Sequence, residues 1–366
     1  FSLTIEASEN AITPEQADLL GIIASTLRKV FPARIILPGK SVRFMAAANR
    51  AADLSSDPDT LTKRIKKRRL NTLYVSEYYL PYDISPERKD YLRSRLANAK
   101  TSIINSDLRP IGYYFDTILW TTYFSSILNT LFQKAAGLSL VHVLVPAVFL
   151  ILLFMILISF YSRRDVRRST GVSVVLSIVI IGFTEISLEI LLLLVFQTAY
   201  GTAYYNLALI AGSYMLGLAT GTLLHVRNRE TQENLIKQFG KIQFLMACFS
   251  LLIIPFVSAL LSGRLALAAP PGLLLFCVLV AGSGLIGGRQ FPLANQLLLS
   301  HKQNPGSTAG SLYSIDLTGS ALGGLMSTCL FIPVLGLVNT LLLLSVLNTV
   351  CFLLLIPSVN KKTRTL

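Results

Sequence analysis

Ser173-Val-Val-Leu-Ser-Ile-Val-Ile-Ile-Gly182-Phe-Thr-Glu185-Ile-Ser-Leu-Glu189-Ile-Leu-Leu-Leu-Leu-Val-Phe-Gln-Thr198 is an apolar run holding two carboxylates and no cation. At 1.5 Å per residue it reaches about 39 Å, more than the roughly 30 Å of a bilayer's hydrocarbon. Six further runs are long enough to span: 138–161, 203–225, 242–262, 268–288, 308–334 and 337–358. Their connections carry the charge. Segments 162–170, 226–241, 289–307 and 359–366 hold 4, 4, 2 and 3 Lys/Arg, whereas 199–202, 263–267 and 335–336 hold only Arg264. The positive-inside rule assigns the first set, with the C-terminus, to the cytoplasm.

This distribution makes sense of an odd composition. The chain of 366 residues is 52% hydrophobic and 14% charged, with a net charge of +14 and a mean hydropathy of +0.59. Soluble domains carry about a quarter charged residues, so a fully soluble protein is excluded, as is a wholly disordered one. The basic excess marks orientation, and it assigns no nucleic acid as partner. Parity leaves one question. If 138–161 is the first span, residues 1–137 lie outside, unless 113–133 adds an eighth. That segment contains Asp116, Trp120 and several Ser/Thr, so it reads equally as an interfacial amphipathic helix.

Polar groups inside apolar runs are costly and therefore informative. Glu185 and Glu189 are four apart, on one helix face. Asp316 lies near the start of the sixth run, and Arg289 ends the fifth. These four are the intramembrane polar candidates, either as a buried ion pair or hydrogen-bonded carboxylate, or as a cation or proton site facing a cavity. The pairs Gly217/Gly221, Gly284/Gly288 and Gly319/Gly323 let helix backbones approach closely, as fixed packing or as a mobile, transporter-like seam. His142, His225 and His301 are scattered, and Cys248, Cys277, Cys329 and Cys351 lie inside apolar runs without zinc-site spacing. No metal ligand set is assigned.

Residues 1–111 mix strand and helix patterns. Phe1–Ala7 reads as a strand. Thr13-Pro-Glu-Gln16 opens a helix, with Thr as N-cap, Pro at the first position and Gln closing the capping box. Leu19, Leu20, Ile23, Leu27 and Val30 form its apolar stripe. Arg34-Ile-Ile-Leu37, a Pro38-Gly39 turn and Val42-Arg-Phe-Met-Ala-Ala-Ala48 read as two strands. Asp57-Pro and Ser85-Pro open two more helices, the first carrying the basic run Lys63-Arg-Ile-Lys-Lys-Arg-Arg69, a solvated face or one drawn to anionic headgroups. The order strand, helix, strand, turn, strand fits the last third of a methyltransferase-like doubly wound sheet. No glycine-rich strand-to-helix turn is present to receive a nucleotide or adenosyl group. The start at Phe1 reads as a piece of a longer polypeptide whose N-terminal part holds that turn.

The chain resembles the membrane-embedded, multi-span fused spermidine synthase-like proteins. In the soluble part the resemblance rests on Leu3-Thr-Ile-Glu-Ala-Ser-Glu-Asn10, Val30-Phe-Pro-Ala-Arg-Ile-Ile-Leu-Pro-Gly-Lys40, Phe44-Met-Ala-Ala-Ala48 and Ile104-Asn-Ser-Asp-Leu-Arg-Pro-Ile-Gly-Tyr-Tyr114. In the membrane part it rests on Gly182-Phe-Thr-Glu-Ile-Ser-Leu-Glu-Ile190, Gly287-Gly-Arg-Gln-Phe-Pro-Leu-Ala294 and Leu312-Tyr-Ser-Ile-Asp-Leu-Thr-Gly-Ser-Ala-Leu-Gly-Gly324. It implies a fold of α/β plus membrane all-α: the C-terminal part of a Rossmann-like domain (1–111), an amphipathic junction or extra span (112–137), a transmembrane bundle (138–358) and a cytoplasmic tail (359–366). It also implies a multi-pass protein of the bacterial inner (plasma) membrane. The family's chemistry transfers an aminopropyl group from decarboxylated S-adenosylmethionine to a polyamine. No catalytic or cofactor-binding residue is carried over, and this stretch alone is expected to be inactive. The alternative expectation is a carrier of polyamines or other cations using Glu185, Glu189 and Asp316.

Overall fold

A computed structural model describes all residues except 9–10, 50–53, 73–74, 101–102, 163–165, 227–231, 300–304 and 363–366. The chain divides into two compact units. The first is Phe1–Ser106 with Pro110–Ala136, and the second is Asp107–Arg109 with Gly137–Leu366.

In the first unit, β1 (Ser2–Glu6), α1 (Pro14–Val30), β2 (Ala33–Leu37) and β3 (Ser41–Ala47) build a three-stranded sheet of order β1-β3-β2. β3 runs antiparallel to both neighbours, with Leu3 opposite Phe44 and Ile36 opposite Phe44 on its other side. Leu20, Leu27, Val42, Phe44 and Ala46 form the core beneath. Thr13 caps α1 by accepting from the Gln16 amide at 3.2 Å. The expected box is not closed, because the Gln16 side chain donates instead to the Glu6 carbonyl at 3.2 Å. That carbonyl sits at the end of β1. The expected apolar stripe is also corrected: Val30 is exposed, whereas Ile22 is fully buried. α1 packs against α5 (Ile111–Thr121) as well as α4 (Pro86–Ala97), so its buried face is wider than one stripe.

Three strands with a single crossover helix do not make a doubly wound domain, so the Rossmann-like expectation reduces here to a small antiparallel sheet. α2 (Pro58–Lys67) and α4 start where expected. Asp57 accepts from the Thr60 amide at 2.9 Å, and Ser85 from the Arg88 amide at 3.4 Å. α2 buries no residue, which leaves its basic run solvated, with Lys66 paired to Glu77. A short turn of helix, α3 (Leu80–Asp83), lies between them in sequence.

The eighth span does not form. Segment 113–133 is divided between α5 and α6 (Ser126–Ala135), of 11 and 10 residues, each about half the length a bilayer needs. Ser125 breaks the run by capping α6. The two helices fold as a hairpin, closed by Tyr114 OH donating to the Phe132 carbonyl at 2.8 Å and Asn129 to Ile118 at 3.2 Å.

The second unit is helical: α7 (Leu140–Ser162), α8 (Val166–Tyr200), α9 (Tyr204–Val226), α10 (Gln232–Leu261), α11 (Ala269–Gly288), α12 (Gln290–Leu299), α13 (Pro305–Met326), a wider π-helical segment (Ser327–Leu335) and α14 (Leu337–Lys362). Six stretches among the described residues are long and apolar enough to cross a membrane, or seven if Ser126–Ala135 and Leu140–Phe154 count as one broken span. The run expected to end at residue 288 instead continues through a break at Arg289 to Leu298. Arg289 is exposed; its long side chain reaches outward while the backbone resumes its helix.

Two glycine seams explain how the bundle closes. Gly217 and Gly221 of α9 face the backbone of Ala281 and Leu285 on α11, while Gly284 and Gly288 of α11 face Tyr214 and Leu218 on α9. Gly319 and Gly323 of α13 likewise lie on Val179 and Phe183 of α8. Between helices in lipid, such contact replaces the hydrophobic drive available in water. α10 packs along α14. α8 is the central element: it meets α13, α14, α11, α10 and α7, and Leu188, Leu191, Leu192 and Val195 are completely buried.

Candidate functional site

The middle of α8 carries polar groups on both sides. On one side Glu185 meets α9 and α11. Its Oε2 accepts from Tyr214 OH at 2.7 Å, with both residues only 6% exposed. Gly287 of α11 closes over the carboxylate, and a methyl group there would overlap it. Glu185 Oε1 is buried without a hydrogen-bond partner among the described residues. Glu189, one turn along, is 8% exposed. Asp316 of α13 is half-buried and approaches α8 at Gly182, where an added Cβ would lie 2.6 Å from its Oδ1 and 2.9 Å from Ser320 Oγ. Both carboxylates lie within electrostatic reach of Glu185 and Tyr214.

The three expected carboxylates are therefore brought into one region, and the fourth candidate is not part of it. Arg289 forms no ion pair with Glu185, Glu189 or Asp316 among the described residues, so the ion-pair expectation is not met. It stands instead beside a cavity with Lys241 and Gln238. No group of three His, Cys, Asp or Glu suited to a metal occurs among the described residues. His142 Nδ1 lies 2.7 Å from Ser139 Oγ at the start of α7. The side chain of His225, and His301 altogether, lie outside the described residues. Cys248, Cys277, Cys329 and Cys351 are free thiols, Cys351 fully buried.

On the other side of α8 the polar groups are neutral and mostly paired. Ser327 Oγ donates to Ser187 Oγ at 2.7 Å, joining α8 to the first residue of the π-helical segment. Asn348 of α14 donates to Thr184 Oγ1 at 2.8 Å, and Gln243 of α10 to the Ser177 carbonyl at 3.1 Å. These bonds tie three elements to α8 and read as structural. Ser177 Oγ, Gln243 Oε1 and Asn348 Oδ1 on that side are likewise left without a partner among the described residues, as Glu185 Oε1 is. The Glu185 side differs in that its left-over oxygen belongs to a carboxyl group. A carboxyl half-satisfied in an apolar surrounding, with two more carboxylates nearby, is equipped to hold a proton or an amine cation.

Tyr214, Gly287 and Gly182 complete this arrangement. The two glycines open motifs of the resemblance, but nothing in the sequence pairs them with the carboxylates, and nothing there marks out Tyr214. A tyrosine and two glycines inside apolar runs carry no chemistry of their own in the sequence, and their pairing depends on which helices become neighbours. The fold and the site together define a bundle of helices long and apolar enough to cross a membrane, with a largely buried group of carboxylates, in a chain that also holds a small α/β unit. No known protein family, curated protein or solved structure matches the chain.

Proposed function

We propose that the chain is the C-terminal part of a membrane-bound spermidine synthase-like protein, in which the helical bundle anchors an aminopropyltransferase-type domain. The observation that carries this reading is the insertion of β3 between β1 and β2, antiparallel to both. β1 and β2 then run parallel, connected by α1, which is how a closing hairpin completes the edge of a doubly wound sheet. In the complete protein the decarboxylated S-adenosylmethionine pocket is formed by residues outside this chain, whose own contribution is anchorage. The test is to incubate the native membrane protein with labelled decarboxylated S-adenosylmethionine and putrescine. Labelled spermidine supports the proposal. Absence of both turnover and binding of that cofactor, in protein that retains its fold, overturns it.

A second reading is favoured by one specific observation, Glu185 Oε1 without a partner among the described residues and with Glu189 and Asp316 nearby. In this reading the bundle carries polyamines or other cations across the membrane, with these carboxylates as the binding groups. Uptake of labelled spermidine into proteoliposomes that falls in Glu185→Gln and Glu189→Gln supports it. Uptake equal to that of empty liposomes removes it.

A further inference from the structure

Lys241 of α10 and Arg289, at the break between α11 and α12, line one cavity of about 290 Å³. The rest of the lining is Gln238 and four aliphatic residues, among them Leu224, Leu245 and Leu293. Among the described residues no carboxylate lines the cavity with the two cations. Neither forms an ion pair with any described residue. Two like charges lining one cavity beside an apolar wall repel one another, and a shared anion relieves that repulsion.

The apolar part of the lining identifies the source of the anion. Leu224 and Leu245 are 47% and 50% exposed, so aliphatic surface continues outward from the cations along the bundle's flank. A free phosphate would leave that surface uncovered, whereas a phospholipid places its headgroup on the cations and its acyl chains on the leucines. The position suits this as well. Lys241 and Arg289 belong to the segments that the Lys/Arg distribution assigns to the cytoplasmic side, the leaflet whose anionic headgroups attract basic residues.

We propose that this cavity, between α9, α10 and α12, binds the phosphate headgroup of an anionic phospholipid. Arg289 supplies a planar fork suited to phosphate oxygens and Lys241 a second, point-like charge. Gln238 adds a neutral donor. The site is separate from the Glu185 cluster, and it stands whether or not the chain belongs to an aminopropyltransferase-type protein.

The test is native mass spectrometry of the full chain in mild detergent with phosphatidylglycerol or phosphatidylcholine. The wild type is expected to retain phosphatidylglycerol preferentially. The doubly substituted Lys241→Gln/Arg289→Gln protein should lose about 30-fold in that retention, with its lipid-free melting temperature unchanged. Arg289→Lys should keep part of the preference, and Arg264→Gln, on the opposite side, should keep all of it. Equal retention of the two lipids by the wild type overturns the proposal, as does undiminished preference in the double variant. Displacement of bound lipid by millimolar inorganic phosphate would assign the site to a soluble anion and overturn the lipid assignment.

Discussion

Replacing Gly217 by alanine should open the α9–α11 seam. A methyl group there would sit 2.9 Å from the Ala281 carbonyl carbon and 3.0 Å from its Cα, and closer still to its oxygen. Non-bonded carbons prefer about 3.5–4.0 Å, so the helices must separate by roughly 0.5–1 Å, and contacts along the seam lose about a quarter to a half of their attraction. The obstacle is backbone, which cannot swing aside as a side chain can. Overpacking of this kind costs about 1–3 kcal/mol. Separation also stretches the Thr222–Gly288 hydrogen bond of 2.9 Å and the Tyr214–Glu185 bond of 2.7 Å, each worth about 0.6 kcal/mol in membrane helices. The expected loss is about 2–4 kcal/mol. Gly212, on the same helix, has no heavy atom within 4 Å of an added Cβ, so Gly212→Ala should be neutral or stabilise by up to about 1 kcal/mol. Reversible unfolding in mixed detergent–SDS micelles, followed by circular dichroism, measures both. If Gly217→Ala matches Gly212→Ala in stability, α9 and α11 do not meet at this seam.

Tyr214→Phe removes the one hydrogen bond to the Glu185 carboxyl among the described residues and should cost about 0.6–1.7 kcal/mol, read by the same unfolding titration; an unchanged midpoint would contradict the pairing. Outside the membrane segments, the Thr60 hydroxyl and then its amide hold the Asp57 carboxyl below its ordinary value of 3.8. With the folded pKa depressed, this cap is at full strength above the unfolded pKa and is lost as pH falls through the folded one. A carbon-13 carboxyl titration should place Asp57 below 3.8, and a midpoint at or above it would refute the capping role. Asp57→Asn should keep the cap and abolish its pH dependence, because asparagine caps a helix without titrating.

The long apolar helices were legible because length and apolarity alone determine them, although the expected first run, 138–161, is long and apolar enough among the described residues only when joined to Ser126–Ala135. The glycine pairs were legible because close approach requires a missing side chain. Thr13, Asp57 and Ser85 were legible as caps because each precedes a proline at the first helical turn. Features that depend on tertiary neighbours were not legible. Apolar composition could not show that Ser125 divides 113–133 into two short helices, since the break is a local capping choice. Arg289 looked like the end of a span because charge ordinarily marks the interface, yet the helix resumes at Gln290. Glu185 was recognisable as a misfit, but its partner was not. Tyr214 differs from a packing aromatic only by a hydroxyl, and the contact crosses 29 positions of sequence. The cavity shared by Lys241 and Arg289 was hidden for the same reason.

The functional proposal and the lipid site both rest on one claim, that the bundle crosses a membrane with its Lys/Arg-rich ends on a single side. Labelling by a membrane-impermeant thiol reagent in sealed vesicles tests it most directly. Cys248, Cys277, Cys329 and Cys351 are replaced by alanine, and one new cysteine is introduced as Lys237→Cys or Arg264→Cys. The account predicts that the cysteine at 237 reacts only from the cytoplasmic face and the one at 264 only from the opposite face. Reaction of both from the same side would contradict it.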